Sequence, residues 1–386
     1  MLDGVRRLLA LVSAVIFVDA MLFTALTPLV PGYAEEFDLS KTGAGLLVGA
    51  FGAGALLGGV PGGIVASKLG PKSAVVGGLV LLGIASFAFA AGDSAVELGA
   101  ARFVQGFSST TTWAGALAWV TVASPVSRRG EVIGTAFGAA VLGAVMGPMF
   151  GGIAEAVGIR LSFATLGVVA LLFAALASFP RSSEAEPLSR GGLWRAFSDV
   201  RFLGGLWLNT LPALLFGTLV VLAPLDLDAA GWSSLAIGTV FFGAGLLEVV
   251  ISPILGRTSD RHGRLLPIRA ALVASVVVAV LLAATSEPAL IALLVAAAAL
   301  SFGGFYTPGM ALTSRRAETA GLAQGLAFGV MNSAWALGNM TGPVAGGALA
   351  SAFGDAVPYL LGGALCALTF VATRRVVGRR VRPREA

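Results

Sequence analysis

Apolar residues gather into long runs with few charges, and polar residues gather between the runs, so no water-facing stripe of period two or 3.6 is drawn along the chain. The runs cover about residues 9–31, 43–66, 73–92, 96–122, 131–153 and 160–179, and then about 202–224, 234–255, 267–285, 288–311, 321–345 and 354–373. Each is close to the roughly 20 apolar residues that an α-helix needs to cross a hydrocarbon layer about 30 Å thick. The pattern therefore predicts an all-α membrane protein with twelve transmembrane helices in two six-helix bundles. Pro180, Arg181, Ser182, Ser183, Glu184, Glu186, Pro187 and Arg190 interrupt it once, at the centre of the chain, and read as a linker. The organisation expected is a bundle over 1–180, a cytoplasmic linker over 181–200, a second bundle over 201–374 and a basic cytoplasmic tail over 375–386. Arg6 and Arg7 ahead of the first run resemble a signal peptide, but that run exceeds 20 residues and carries Asp19, so it reads as a permanent helix.

Charge orients the helices. With both termini inside, the N-terminus, the loops after every even-numbered span and the tail hold 22 of the 25 lysines and arginines. Only Lys41 and Arg160 fall outside, and Arg102 lies within span four, while the outer loops carry Glu35, Glu36, Asp38, Asp93, Asp226, Asp228 and Asp355. Arginine outnumbers lysine 22 to 3 amid abundant Ala and Gly, a bias typical of GC-rich bacterial genomes, so the expected location is a bacterial plasma membrane.

Composition removes several classes of function. Of 386 residues 57% are hydrophobic and 12% charged, where a soluble domain carries about 25% charged residues. The net charge of +5 comes from basic residues spaced along the chain, not from one block, so no nucleic-acid partner is expected. One cysteine, Cys366, and one histidine, His262, leave no thiol pair and no metal cluster. No Lys sits in a phosphate-cradling G-x-x-x-x-G-K-[ST] loop, and no nucleophile stands with a base, so neither an ATP-driven pump nor an enzyme is expected, and no cofactor.

The two halves repeat. Gly134, Gly143, Gly147-Pro148 and Gly151-Gly152 recur as Gly329, Gly338, Gly342-Pro343 and Gly346-Gly347 at a constant offset of 195. Gly63, Ser67, Lys68 and Gly70, after span two, align with Gly256, Asp260, Arg261 and Gly263, after span eight, at an offset of 193. With these motifs the chain resembles the major facilitator superfamily, and within it the twelve-span drug:proton antiporters. Gly256, Asp260, Arg261, Gly263 and Arg264 match the family's loop pattern G-x-x-x-D-R-x-G-R, whereas in the first-half copy Ser67 replaces the acid. Arg102, Gln105 and Gly106 match R-x-x-Q-G, which the family associates with proton coupling, and the array from Gly134 to Gly152 looks like the family's antiporter signature. The segment from Val18 through Pro28 and Pro31 looks like span one of amine and drug antiporters. The resemblance implies proton-coupled export by alternating access.

The residues themselves suggest where the chemistry lies. Asp19 falls near the middle of span one, where an uncompensated carboxylate costs at least about 2.5 kcal/mol, so it binds a proton and a cationic substrate in turn, or forms a fixed ion pair. Arg102 is its expected partner. Gln105, Ser109 and Trp113 follow Arg102 at helical spacing and put a polar and aromatic face on span four. Glu248 in span eight is a second intramembrane acid, able to share the coupling or to reach the cytoplasmic interface. Asn332 and Asn339 lie seven apart on span eleven, either to bind substrate or to join helices. Phe23, Trp113, Trp207, Phe305 and Tyr306 are candidate aromatic lining for a lipophilic or cationic molecule, with helix packing as the alternative. Gly143, Gly147, Pro148, Gly151 and Gly152 suit close helix contact and conformational change. The loop residues Gly256, Asp260, Arg261, Gly263 and Arg264 suit either a gating latch or a topological anchor. The partners expected are a small molecule, protons and the lipid bilayer, for a chain acting as a monomer. A sugar or organic-solute importer or facilitator of the same superfamily is the other transporter reading.

Overall fold

A computed structural model describes residues 2–125, 128–180, 193–262, 265–322 and 324–378. Among the described residues every regular element is a helix. The first half contains α1 (Leu2–Thr24), a 3-10 turn (Thr27–Leu29), α2 (Val30–Glu36), α3 (Lys41–Lys68), α4 (Pro71–Ala91), α5 (Ala95–Ala123), α6 (Arg129–Val157) and α7 (Ile159–Ser178). The second contains α8 (Leu193–Ser198), α9 (Val200–Ala229), α10 (Ser234–His262), α11 (Leu265–Ala284), α12 (Pro288–Gly303), α13 (Tyr306–Thr319), α14 (Gln324–Phe353) and α15 (Ala356–Gly378). Among the described residues, nine helical segments are long and apolar enough to cross a membrane. The other three expected spans correspond to α5, the α12–α13 pair and α14. On α5 the buried run Ser108 to Thr112 and Arg102 dilute the hydropathy without disturbing the helix, because each hydroxyl of Ser108, Thr110 and Thr111 bonds a carbonyl of its own helix.

Two spans are broken where the apolar pattern runs on without interruption. Span one stops at Thr24 and resumes through the 3-10 turn, because Pro28 brings no amide proton to the backbone ladder there. Span ten stops at Gly303 and restarts at Tyr306. Helix starts follow local chemistry: Ser40 caps α3 by accepting from the Gly43 amide, Ser94 caps α5 by accepting from the Glu97 amide, and Asp199 caps α9 by accepting from the Arg201 amide. The tight turn from α3 into α4 passes through Gly70 at φ 88°, a conformation that favours glycine.

Glycine also sets the packing. Gly143 lies against the Phe17 carbonyl and the Met21 amide of α1, and Gly338 lies against the Thr210 carbonyl and the Leu214 amide of α9. The sequence repeat therefore reappears as a repeated helix pair, α1 with α6 and α9 with α14. Across the two halves, Gly45, Gly49 and Gly52 of α3 approach the backbone of Pro343, Met340 and Asn339 of α14. In the matching pair, Gly238 and Gly245 of α10 approach the Pro148 carbonyl and the Val145 side chain of α6, and Gly152 of α6 approaches Ser234 and Leu235.

These contacts lie toward one end of the molecule, where Glu35, Asp93, Asp226 and Asp355 gather and which we call the acidic end. Toward the opposite, basic end, with Lys68, Arg128 and Arg316, the helices part. Along α3, a Cβ at Gly59 would come only within 3.5 Å of Ser333, and one at Gly63 would meet nothing within 4 Å. Along α6 and α14, Gly138, Gly134 and Gly329 likewise meet nothing within 4 Å. The halves thus close at the acidic end and diverge toward the basic end.

Candidate functional site

The site begins with a carboxyl held between α1 and α5. Asp19 is 2% exposed, and its Oδ2 accepts from the Ser109 hydroxyl at 2.6 Å and from the Trp113 indole Nε1 at 2.8 Å. Ser109 and Trp113 are four apart on α5 and so share the face that the spacing predicts. The other oxygen, Oδ1, is buried and accepts no hydrogen bond. The Trp113 ring stands edge-on to Phe137 of α6 at 5.5 Å and covers the acid on that side.

Arg102 does not pair with Asp19; no ion pair among the described residues joins them. Its Nη1 donates to the Leu22 carbonyl and to Gln105 Oε1, each at 3.1 Å, and its Nη2 donates to the Phe23 carbonyl at 2.9 Å. Those carbonyls belong to the last turn of α1, where the break leaves them without helical donors. A guanidinium suits that place: its fork reaches two carbonyls at once, and its charge faces the negative end of the helix dipole. The guanidinium also lies over the Phe51 ring, 4.7 Å from its centre, and Gln105 passes the network to Ser86 of α4 at 3.4 Å. The expected partner of Asp19 is therefore spent on holding the broken span.

Aromatic rings close the centre between the halves. Phe23 packs on Phe51 at 4.9 Å and on Trp335 of α14 at 5.2 Å, and buried Ala55 and Ala336 complete the cluster. Phe51 was not singled out by the sequence, although its place between Gly49 and Gly52 on a glycine-lined helix marks it. Asn339 bonds the Trp335 carbonyl on its own helix and lends its backbone to the contact with Gly52, which gives it a helix-joining place here. Asn332 stands two turns earlier on α14 and is partly buried.

The remaining candidates scatter. Trp207 directs its indole nitrogen to the Thr369 hydroxyl of α15 at 2.9 Å. Phe305 is fully buried, and Tyr306, at the start of α13, is partly buried. Glu248 is partly buried, and its carboxylate rests against Gly303 at the break in span ten. Gly143 and Gly147 pack on α1 and Gly151 on Ala25 and Pro28 of the break after it, while Pro148 and Gly152 pack on α10. Gly256, Asp260 and Arg261 fall on α10. Gly263 and Arg264 lie outside the described residues.

Sequence reasoning also missed an ion pair at the acidic end. Lys41, at the start of α3, bonds both oxygens of Asp355, in the turn between α14 and α15. Beside it the Thr42 amide and hydroxyl each bond the Ser351 hydroxyl at 3.1 Å, and Gly347 packs on the Lys41 carbonyl. Lys41 and Arg160 are the two bases that the charge count leaves outside, and both bond acids: Arg160 pairs with Asp93. That exception was the available signal. Among the described residues no cluster of His, Cys, Asp and Glu could hold a metal ion.

Comparison with known proteins bears on this arrangement. The family model described as Major Facilitator Superfamily matches residues 12–323 and 206–386. The chain is 26% identical over 331 residues to multidrug resistance protein 1 of Bacillus subtilis (strain 168), covering 83% of this chain and 84% of that protein. It is 27% identical over 351 residues to quinolone resistance protein NorA of Staphylococcus aureus (strain COL), covering 86% and 87%. Among solved structures, a bacterial homologue of the human lysosomal transporter Spinster, in an inward-facing and unoccupied conformation, superposes with a TM-score of 0.79 at 15% identity, covering 98% of this chain and 99% of that one.

Proposed function

Because the chain belongs to the major facilitator superfamily, we propose that it is a proton-coupled exporter of small lipophilic or cationic molecules, in which two six-helix bundles rock about a central site. The family makes it a multi-pass membrane transporter of small molecules. Export is supported by two bacterial relatives whose names are those of a multidrug resistance protein and a quinolone resistance protein. The bundles in this reading are 1–180 and 201–374, joined by a cytoplasmic linker, with both termini cytoplasmic and the chain acting as a monomer. On that orientation the acidic end faces outward, and the conformation described is inward-open.

The observation that carries proton coupling is the state of Asp19. One carboxyl oxygen holds two donors, the other is buried and bare, and the nearby guanidinium is engaged with α1 carbonyls. A permanent ion pair would fix the charge, whereas this carboxyl can take a proton on Oδ1 without breaking a bond. Protonation removes the cost of a charge at membrane depth, at least about 2.5 kcal/mol. Proton uptake and release at this carboxyl thus change the charge at the centre of the bundle between the two states of the cycle.

The test is a liposome assay with an internal pH-sensitive dye, an imposed proton gradient and a panel of lipophilic cations, neutral drugs and sugars. Wild type moves protons when one lipophilic or cationic class is added, and Asp19→Asn abolishes that movement. Substrate flux without proton movement would make the protein a facilitator, and full coupling in Asp19→Asn would overturn the role of this carboxyl.

A further inference from the structure

Glu248 stands where the other half of the molecule has alanine. Helices α3 and α10 correspond at an offset of 193, since Gly45 and Gly52 contact α14 as Gly238 and Gly245 contact α6. At the same offset Ala55 corresponds to Glu248. The neighbouring helix agrees: Gly106 of α5 lies against the Ala55 amide, and Gly303 of α12 lies against the Glu248 side chain. Ala55 is 1% exposed and belongs to the apolar cluster of Phe23, Phe51, Trp335 and Ala336 that seals α3 against α14. The equivalent place in the second half is filled by a partly exposed carboxylate.

Its surroundings fit a ligand better than a structural role. Glu248 lies one turn past Gly245, whose Cβ would meet α6, on the side where the two helices diverge. The carboxylate rests on the break between α12 and α13, where a Cβ at Gly303 would overlap it, so the absence of a side chain at Gly303 makes room for the acid. Among the residues whose side chains are described, none donates a hydrogen bond to it and none forms an ion pair with it. An acid at membrane depth that stays partly exposed favours a positively charged ligand over a neutral one.

We propose that Glu248 selects the charge of the substrate: it receives the cationic group of a lipophilic cation, and neutral substrates of the same size do not need it. The inference rests on the export reading and assigns the acids separate tasks, with Asp19 carrying the proton and Glu248 the substrate's charge. Transport and binding of tetraphenylphosphonium, a lipophilic cation, and of a neutral lipophilic dye of similar size are measured for wild type, Glu248→Gln, Glu248→Ala and Gly303→Ala in liposomes. Glu248→Ala restores the residue that the first half carries, and Gly303→Ala displaces the carboxylate while keeping it. All three variants raise the KM and the Kd for the cation about tenfold or more, the scale of one lost charge–charge contact outside bulk water, and leave those for the dye within about twofold. Equal losses for both probes, or no loss for either, overturn the inference. If wild type transports neither probe the export reading fails by itself, and direct binding of the cation, wild type against Glu248→Gln, still decides the role of the acid.

Discussion

Gly52→Ala should open the acidic end without unfolding either half. A Cβ at Gly52 would stand 2.5 Å from the Met340 amide nitrogen, 2.6 Å from the Asn339 carbonyl carbon and 2.8 Å from its oxygen. All three are backbone atoms of α14, which cannot swing aside as a side chain can. Ordinary contact begins near 3.4 Å, so α3 and α14 must part by roughly 0.9 Å. Overpacking of that kind costs about 1–3 kcal/mol. The cost falls only on the state in which α3 and α14 touch; at 1.4 kcal/mol per decade it shifts the balance toward the state open at the acidic end by about 5- to 150-fold. Thr42→Cys is a suitable reporter, because Thr42 lies under Gly347 of the second half, and the native Cys366 is fully buried. Its alkylation by a membrane-impermeant maleimide should accelerate in the Gly52→Ala background. Gly63→Ala is the control: a Cβ there meets nothing within 4 Å, so it gains helix propensity and leaves the rate unchanged. Equal rates in the two backgrounds would refute the assignment of the α3–α14 contact as the closed gate.

The Lys41–Asp355 pair should act on the same equilibrium more weakly. Both side chains are about one-third exposed, so a double-mutant cycle of Lys41→Ala and Asp355→Ala, read by the same labelling rate, should give a coupling of about 0.2–1 kcal/mol that vanishes in 1 M salt. A coupling that persists in 1 M salt would mean that the pair is buried during gating. Arg102→Lys should lower thermal stability and abolish transport although charge is kept, because one ammonium cannot reach Leu22, Phe23 and Gln105 as the fork does. Each lost charge-assisted bond is worth about 1.5–3 kcal/mol. A wild-type melting temperature in Arg102→Lys would mean that charge alone holds the end of α1.

What could be read from the sequence follows from how each feature is encoded. Span positions are written in composition, because a helix in hydrocarbon must be apolar along some 30 Å. The face joining Asp19 to Ser109 and Trp113 is written in spacing, since residues four apart share a face. The partner of Arg102 lies in the register of two helices, which no single residue displays. Asp19 pairs with residues 109 and 113 on a helix antiparallel to its own, so Arg102, seven residues from Ser109, lies about 10 Å along the axis. That distance leads past Asp19 to the carbonyls of Leu22 and Phe23, at the end that Pro28 breaks. Proline, arginine and aspartate each stood out alone; only their common register shows that the guanidinium repairs the break.

The glycine array shows the opposite limit. Its repeat at offset 195 announces a duplicated element, yet one motif holds two kinds of contact that spacing alone does not separate. Gly143, Gly147 and Gly151, each four apart, form the face of α6 that packs on α1 and, at Gly151, on Ala25 and Pro28 of the break that follows it, within the first half. Pro148 and Gly152, also four apart, form the neighbouring face that meets α10 across the halves. The helix is thus joined to its own half along one side and presents a smooth, separable surface along the other. A Cβ on the first face damages a contact that both states of an alternating transporter must keep, whereas a Cβ on the second damages one that must break in each cycle. Ala substitutions at Gly147 and Gly152 should therefore diverge: the first lowers the melting temperature and the amount of folded protein, and the second leaves both near wild type while speeding alkylation at the acidic end. If Gly152→Ala proved as destabilising as Gly147→Ala, α6 would be bound equally on both sides, and the halves could not part along α6 and α10.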